Sequence, residues 1–141
     1  MDTIDEQLIL ALKENGRAST AELARLVGRS RTSVQSRIER LERQGIIVGY
    51  AVRLAPEHDQ GAVRAHVMIK VGAKETRSVA AALRGIPQVR VLHSVSGEVD
   101  LIAVAVTPSV AEMDQVIDRI GALDGVERTT SSIILSTKFE R

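Results

Sequence analysis

Apolar residues recur every three to four positions through three short stretches of the first fifty residues, and every second position through several stretches after residue 62. In the first stretch Ile4, Leu8, Ala11 and Leu12 share one helical face behind Asp2, a good N-cap, and Asn15-Gly16 closes it. A second helix is predicted from Ser19, where Ser-Thr-Ala-Glu22 has the spacing of a capping box. It turns Leu23, Leu26 and Val27 inward and ends at Gly28. Only Gly28 and Arg29 separate it from Ser30, the N-cap of a third helix that buries Val34, Ile38 and Leu41 and ends at Gly45. Two short helices joined by such a turn make a helix-turn-helix pattern, although many helical hairpins share it. Ile46, Ile47, Val48 and positions 50–54 are β-prone and predict a short wing.

Beyond residue 62 the period changes. Val63, Ala65, Val67, Ile69 and Val71 fall on one side of a strand, with Arg64, His66, Met68 and Lys70 on the other. A helix follows with Val79, Ala82, Leu83 and Ile86 inward, closed by Gly85 and Pro87. Residues 89–95 form the next strand, Ser96-Gly97-Glu98 a turn, and residues 101–106 a strand that is apolar on both faces. Ser109 and Glu112 then cap a helix burying Val110, Met113, Ile117 and Ile120, and a last strand runs over about 128–136. The order is βαββαβ, in two similar halves, which predicts a ferredoxin-like split sheet with both helices on one face. The strand from Leu101 then needs cover on its other face too, and a second copy of the sheet in a homodimer supplies it most simply.

The polar segment 55–61 separates the two patterns. We therefore divide the 141 residues into 1–53, a linker at 54–61, and 62–141. The formal net charge is only +1, but it is unevenly spread: residues 1–53 carry nine basic and seven acidic side chains, the remainder ten and eleven. Five arginines and two acids lie between Arg29 and Arg43, with no lysine. The chain has no cysteine, which excludes disulfides, thiolate zinc sites and cysteine nucleophiles. Tyr50 and Phe139 are its only aromatic residues, too few for base stacking on single-stranded nucleic acid. No apolar run is long enough for a membrane span, and acidic residues directly after Met1 do not make a signal peptide, so a cytoplasmic location is expected.

No catalytic constellation is legible. His58, His66 and His93 stand apart, no spacing suits a metal, and Gly97 and Gly125 do not belong to a phosphate loop. Neither a cofactor nor a metal is expected. The arginine-rich third helix has two readings. It can be a solvated face with Glu39 and Arg43 paired one turn apart. It can also read DNA, because arginine forks suit phosphates and guanine edges, glutamine suits adenine, and the small residues Ser30, Thr32, Ser33 and Ser36 allow close approach.

The order and spacing of these residues resemble those of the Lrp/AsnC ("feast/famine") transcriptional regulators over essentially the whole chain. The similarity is carried by Met1-Asp2…Asp5…Leu8-Ile9…Leu12…Gly16-Arg17, by Glu22-Leu23-Ala24…Val27-Gly28…Ser30…Val34…Arg37-Ile38…Leu41…Gly45-Ile46-Ile47…Gly49-Tyr50, by Ser96-Gly97-Glu98-Val99-Asp100-Leu101, and by Gly125-Val126…Thr129…Ser131…Ile133…Leu135. The resemblance implies an α+β chain: an N-terminal winged helix-turn-helix plus a C-terminal ferredoxin-like βαββαβ domain for ligand sensing and dimerisation. It implies a regulator of double-stranded DNA that assembles as homodimers and on to octamers or larger, tuned by a small effector, commonly an amino acid. Arg31, Thr32, Gln35 and Ser36 are the expected base readers; Arg37 and Arg40, with Arg29 and Arg43, the expected phosphate partners. By position the effector would lie near Gly97, Asp100, Thr129 and Ser131. Gly97 can equally be a turn glycine and Asp100 a strand-start residue bonded to local backbone. Arg29 stands where the family usually has leucine, Ser131 where threonine is common, and Glu57-His58-Asp59 makes the linker unusually polar. Two alternatives share the architecture: a sirohaem-decarboxylase-like tetrapyrrole enzyme, which would need His66 and His93, and an amino-acid-binding assembly module with vestigial DNA binding.

Overall fold

The computed structural model describes residues 1–55, 58 and 61–139. Pro56, Glu57, Asp59 and Gln60, half of the expected linker, lie outside the described residues. The chain divides into two compact units, Met1–Leu54 and Ala55–Arg141.

The first unit holds α1 (Thr3–Glu14), α2 (Thr20–Val27) and α3 (Arg31–Arg43). Each starts where its capping residue predicts. Asp2 and Asp5 form a reciprocal capping box at α1, Ser19 and Glu22 another at α2, and the Ser30 hydroxyl accepts the Ser33 N–H at α3. Leu8, Leu23, Ala24 and Val34 make the core, with Ile4, Ala11, Leu12, Val27 and Ile38 packed on it. Leu26, expected inside, is exposed; Ala24, on the neighbouring stripe of α2, is buried instead.

The expected wing is not a strand pair in this chain. Residues 46–54 carry no strand, and Ile46, Val48, Tyr50, Val52 and Leu54 are all exposed. The β-prone residues that suggested a strand are present, but a strand exists only where another backbone completes its ladder, and none of the described residues does so here. Three bonds anchor the start of the segment: the Ile46 and Ile47 N–H groups donate to the Leu41 carbonyl, and Tyr50 Oη donates to Glu42 Oε1 at 2.8 Å.

The second unit runs β1 (Val63–Val71), α4 (Thr76–Arg84), β2 (Val89–Ser94), β3 (Leu101–Thr107), α5 (Val110–Gly121) and β4 (Val126–Ile134). The sheet is antiparallel in the order β2-β3-β1-β4, the split βαβ arrangement that the two similar halves predict. Ala65, Val67, Ile69, Leu101, Ala103 and Ala105 lie under α4 and α5, which contribute Val79, Leu83, Met113, Val116 and Ile120. Two helix positions differ from the sequence reading. Ala82 is exposed because the inward stripe of α4 runs Val79–Leu83, with Ile86 following, and Val110 is exposed at the first turn of α5 while Val116 is buried.

The two ends of β1 are held differently. Val63 pairs with Thr107 at one end, whereas beyond Lys70 a register shift carries Val71 to Val126. On the face away from the helices, His66 pairs with Val104 and Ser132, and Met68 with Ile102 and Thr130. Met68, Ile102, Val104 and Val106 are only half-buried there.

Candidate nucleic-acid interface

The turn between α2 and α3 sets the geometry. Gly28 closes α2 in the left-handed conformation, φ 63° and ψ 42°, which glycine adopts without the Cβ penalty. Arg29 N–H reaches back to the Ala24 carbonyl at 3.0 Å, and Ser30 then caps α3. The chain thus leaves one helix and enters the next within three residues.

Val34 and Leu41 are buried and Ile38 half-buried, so the opposite face of α3 looks outward. Arg31, Thr32, Gln35, Ser36 and Arg43 are exposed on it, all residues singled out from the sequence. Gln35 is partly held: its Nε2 donates to Glu39 Oε1 at 3.0 Å and its Oε1 accepts from Thr20 Oγ1 at 3.4 Å. The Glu39–Arg43 pairing of the bland reading does not form; Glu39 takes Gln35 instead. Arg29 folds one guanidinium nitrogen onto the Gly28 carbonyl at 3.2 Å. Arg29 and Arg31 also line a shallow cleft with Ala21, Ala24, Arg25, Gly28 and Ser30.

Arg37 is placed differently from the expectation. Its Nη1 lies 2.7 Å from Asp2 Oδ2 and 2.9 Å from Asp5 Oδ1, and its side chain is only 22% exposed. Arg40 Nη2 lies 2.7 Å from Asp5 Oδ2, with 43% of its side chain exposed. Asp5 is fully buried, and its Oδ2 also accepts the Asp2 N–H at 3.0 Å. One aspartate therefore both caps α1 and clamps α3. Arg37 is a positioning residue, its Nη1 shared by Asp2 and Asp5, whereas Arg40 gives one nitrogen to Asp5 and stays more exposed. The clamp had a signal in the sequence: acids three apart at a helix start, and arginines three apart on the third helix. Such spacings match face to face only once the helices are packed.

The electrostatics follow these contacts. The Asp5 N–H and the Arg37 guanidinium hold the Asp2 carboxyl down at about 2. Burial works to raise Asp5, but the Asp2 N–H, Arg37 and Arg40 outweigh it and leave its pKa lowered. Arg37 is correspondingly raised by Asp2 and Asp5.

In the second unit, two of the four effector candidates, Asp100 and Thr129, lie beside the far end of β1. Asp100 N–H donates to the Ile69 carbonyl, and Asp100 Oδ2 accepts the Val71 N–H, both at 3.0 Å, with Lys70 Nζ at 4.0 Å. Asp100 is thus bonded to the backbone of the neighbouring strand β1 rather than to its own turn. Thr129 pairs with Ile69 from the other side, and Ser131 sits further along, opposite Val67. Gly97 lies in the β2–β3 turn at φ 114° with open space around its Cα. Within one chain, Asp100 and Thr129 flank the same stretch of β1, while Ser131 lies farther from Asp100. His66 and His93 are exposed on β1 and β2. Among the described residues, no three metal-ligating side chains come together, and no helix is long and apolar enough to cross a membrane.

A helix-turn-helix with an arginine-bearing outer face, followed by a split βαβ sheet, defines a two-unit transcriptional regulator. Known proteins agree. Residues 1–42 match the AsnC-type helix-turn-helix domain and residues 64–141 the Lrp/AsnC ligand binding domain. The chain is 35% identical over 140 residues to the HTH-type transcriptional regulator LrpA of Mycobacterium tuberculosis, spanning 99% of this chain and 93% of that protein. The structure of E. coli AsnC aligns with a TM-score of 0.83 at 25% identity, covering 100% of this chain and 96% of that one. A Neisseria meningitidis transcriptional regulator in complex with L-Met aligns at 0.82 and 29% identity, covering 99% and 93%. The chain belongs to the Lrp/AsnC family of transcriptional regulators. Its relatives carry the names of regulators, so the tetrapyrrole-enzyme alternative is set aside.

Proposed function

We propose that this regulator binds double-stranded DNA sequence-specifically through α3, and that a small effector, an amino acid, tunes its assembly or its DNA affinity. The observation that carries the DNA reading is the outward face of α3. Arg31, Thr32, Gln35 and Ser36, at a helix start fixed by Gly28 and Ser30, and Arg43 at its end stand opposite the buried Val34 and Leu41. Arg31, Thr32, Gln35 and Ser36 read base edges, while Arg29, Arg40 and Arg43 take phosphates. Lowering the salt slope separates contact from support. Arg43→Ala is expected to weaken binding across sequences and to flatten the dependence of log affinity on log salt by about one unit, as loss of a phosphate contact does. Arg37→Ala should leave that slope unchanged. A flattened slope for Arg37→Ala, with none for Arg43→Ala, would reverse the assignment.

The half-buried apolar residues Met68, Ile102, Val104 and Val106 support a homodimer through the open sheet face. The alternating exposed residues of 46–54 support pairing of that segment in the same assembly. Dimers then build octamers or larger assemblies in the cytoplasm, and bind half-sites about 10 base pairs apart or multiples of that.

For the effector, Asp100 offers a carboxylate to an α-ammonium, and Gly97, Thr129 and Ser131 offer an amide and hydroxyls to a carboxylate. The L-Met complex of the Neisseria relative supports this class of ligand. In a panel of amino acids at millimolar concentration, at least one is expected to raise the Tm, by about RT ln(1 + [L]/Kd) in free energy. Asp100→Ala should abolish that shift; no shift with any amino acid overturns the effector assignment.

A further inference from the structure

A cleft of about 600 Å³ lies between α4 and the edge strand β2, away from the Gly97, Asp100 and Thr129 positions considered above. Arg77, Ala80, Ala81, Leu83 and Arg84 line it from the helix, and Val89, Arg90, Val91 and Leu92 from β2 and its start. Its volume falls within the usual range for small-molecule sites.

The helix side is ordered for a ligand. Arg77 and Arg84 are two turns apart, about 10 Å along the axis. Ala80 and Ala81 lie between them on the same face, so the space between the two forks is left open. Leu83 is buried and Leu92 half-buried, which makes part of the floor apolar, and Arg90 supplies a third fork from the strand.

The charge is one-sided. Among the described residues, no acidic side chain lines the cleft, although the unit it belongs to has more acids than bases. Arg77, Arg84 and Arg90 are exposed, and among the described residues none pairs with a carboxylate. Three unpaired arginines around a concave, partly apolar surface suit planar oxyanions held by paired N–H donors. An amino acid fits poorly, because nothing in the lining would take its ammonium group.

We propose that this cleft is a second small-molecule site of the regulator, taking an organic anion that bears phosphate or carboxylate groups and no ammonium. The full chain would then answer to two chemically different ligands. A duplex phosphate backbone is the competing source of the same chemistry, but a concave cleft with an apolar floor favours a small molecule over a convex polymer.

Titration calorimetry of the full chain with citrate, glucose 6-phosphate and inorganic pyrophosphate tests the proposal. At least one probe is expected to saturate at one molecule per chain. Its Kd should rise at least tenfold in Arg84→Gln/Arg90→Gln, and also in Ala81→Leu, which fills the space and keeps every charge. These side chains are exposed, so the variants should melt with the parent. DNA affinity and its salt slope should stay unchanged in both. Failure of all three probes to saturate would overturn the proposal, as would saturation that both variants retain. A salt slope for DNA that flattens in the double variant, with no probe binding, would assign the arginines to the DNA backbone instead.

Discussion

Gly125→Ala is expected to cost the C-terminal unit about 3 kcal/mol, combining backbone strain and overpacking. Gly125 holds φ +92°, a region that L side chains rarely adopt. A Cβ there would lie 2.9 Å from Glu75 Cβ and 3.1 Å from Val79 Cγ2. Neither neighbour yields easily. Glu75 Cβ sits against the backbone at the start of α4, and Val79 is a fully buried core residue. The Gly125 carbonyl also accepts the Gly72 N–H at 2.9 Å, so a shift there disturbs the join between β1 and β4. Gly97→Ala is the matched control: φ is +114°, but nothing lies within 4 Å of the added carbon. It should show the strain alone, about 1–2 kcal/mol. Thermal unfolding of the two variants reads the clash as the difference between them, and equal losses would remove the steric part of the account.

Asp5→Ala is expected to destabilise the N-terminal unit by about 2–3 kcal/mol. Breaking a buried ion pair from one side costs about 3–5 kcal/mol, and here the loss is smaller because both orphaned arginines reach water. The substitution removes the acceptor for Arg37, Arg40 and the Asp2 N–H at once. Asp5→Asn keeps the shape and loses the charge, so it should fall between the parent and alanine. The same clamp gives a pH dependence whose sign is set by its depressed carboxyls. Asp2 and Asp5 both have lowered pKa values in the folded chain, Asp2 falling from 3.8 to about 2. Their contribution is therefore complete above the unfolded value near 4 and is lost as pH falls toward 2. Melting curves of the parent should be flat in this respect above about pH 5 and decline below pH 4, and Asp5→Ala should flatten that decline. An equally steep acid decline in Asp5→Ala would place its origin elsewhere.

The helix starts were legible because caps are local: Asp2, Ser19, Ser30 and Ser109 each bond an amide within three residues. The faces of β1 were legible because its apolar and polar residues alternate, whereas β3 is apolar on both faces and its alternation shows only in burial. Features that depend on a partner element were not. The β-prone run in 46–54 is the same in the sequence whether or not a second backbone is present to pair with it. Leu26 and Ala82 were misplaced because an apolar stripe on a short helix admits a neighbouring register that only packing excludes. Arg37 was read as a DNA contact because arginine on an outward-seeming helix carries no mark of its partner. Asp5, thirty-two residues earlier, supplies that partner only after α1 packs on α3. The α4 cleft was invisible for a related reason, since Arg90 joins Arg77 and Arg84 only through the pairing of strand and helix.

The clamp on α3 also bears on how the protein should be handled. Asp2, one of its two carboxylates, is the second residue of the chain, and its amide is tied to Asp5. An affinity tag fused ahead of Met1 would place new chain beside Asp2, whose carboxylate holds Arg37 of α3. Weak DNA binding by such a preparation would then report the tag rather than the regulator. The opposite terminus is the safer place for a fusion: Leu135 and Phe139 are exposed, and no effector or DNA candidate lies beyond Ser131.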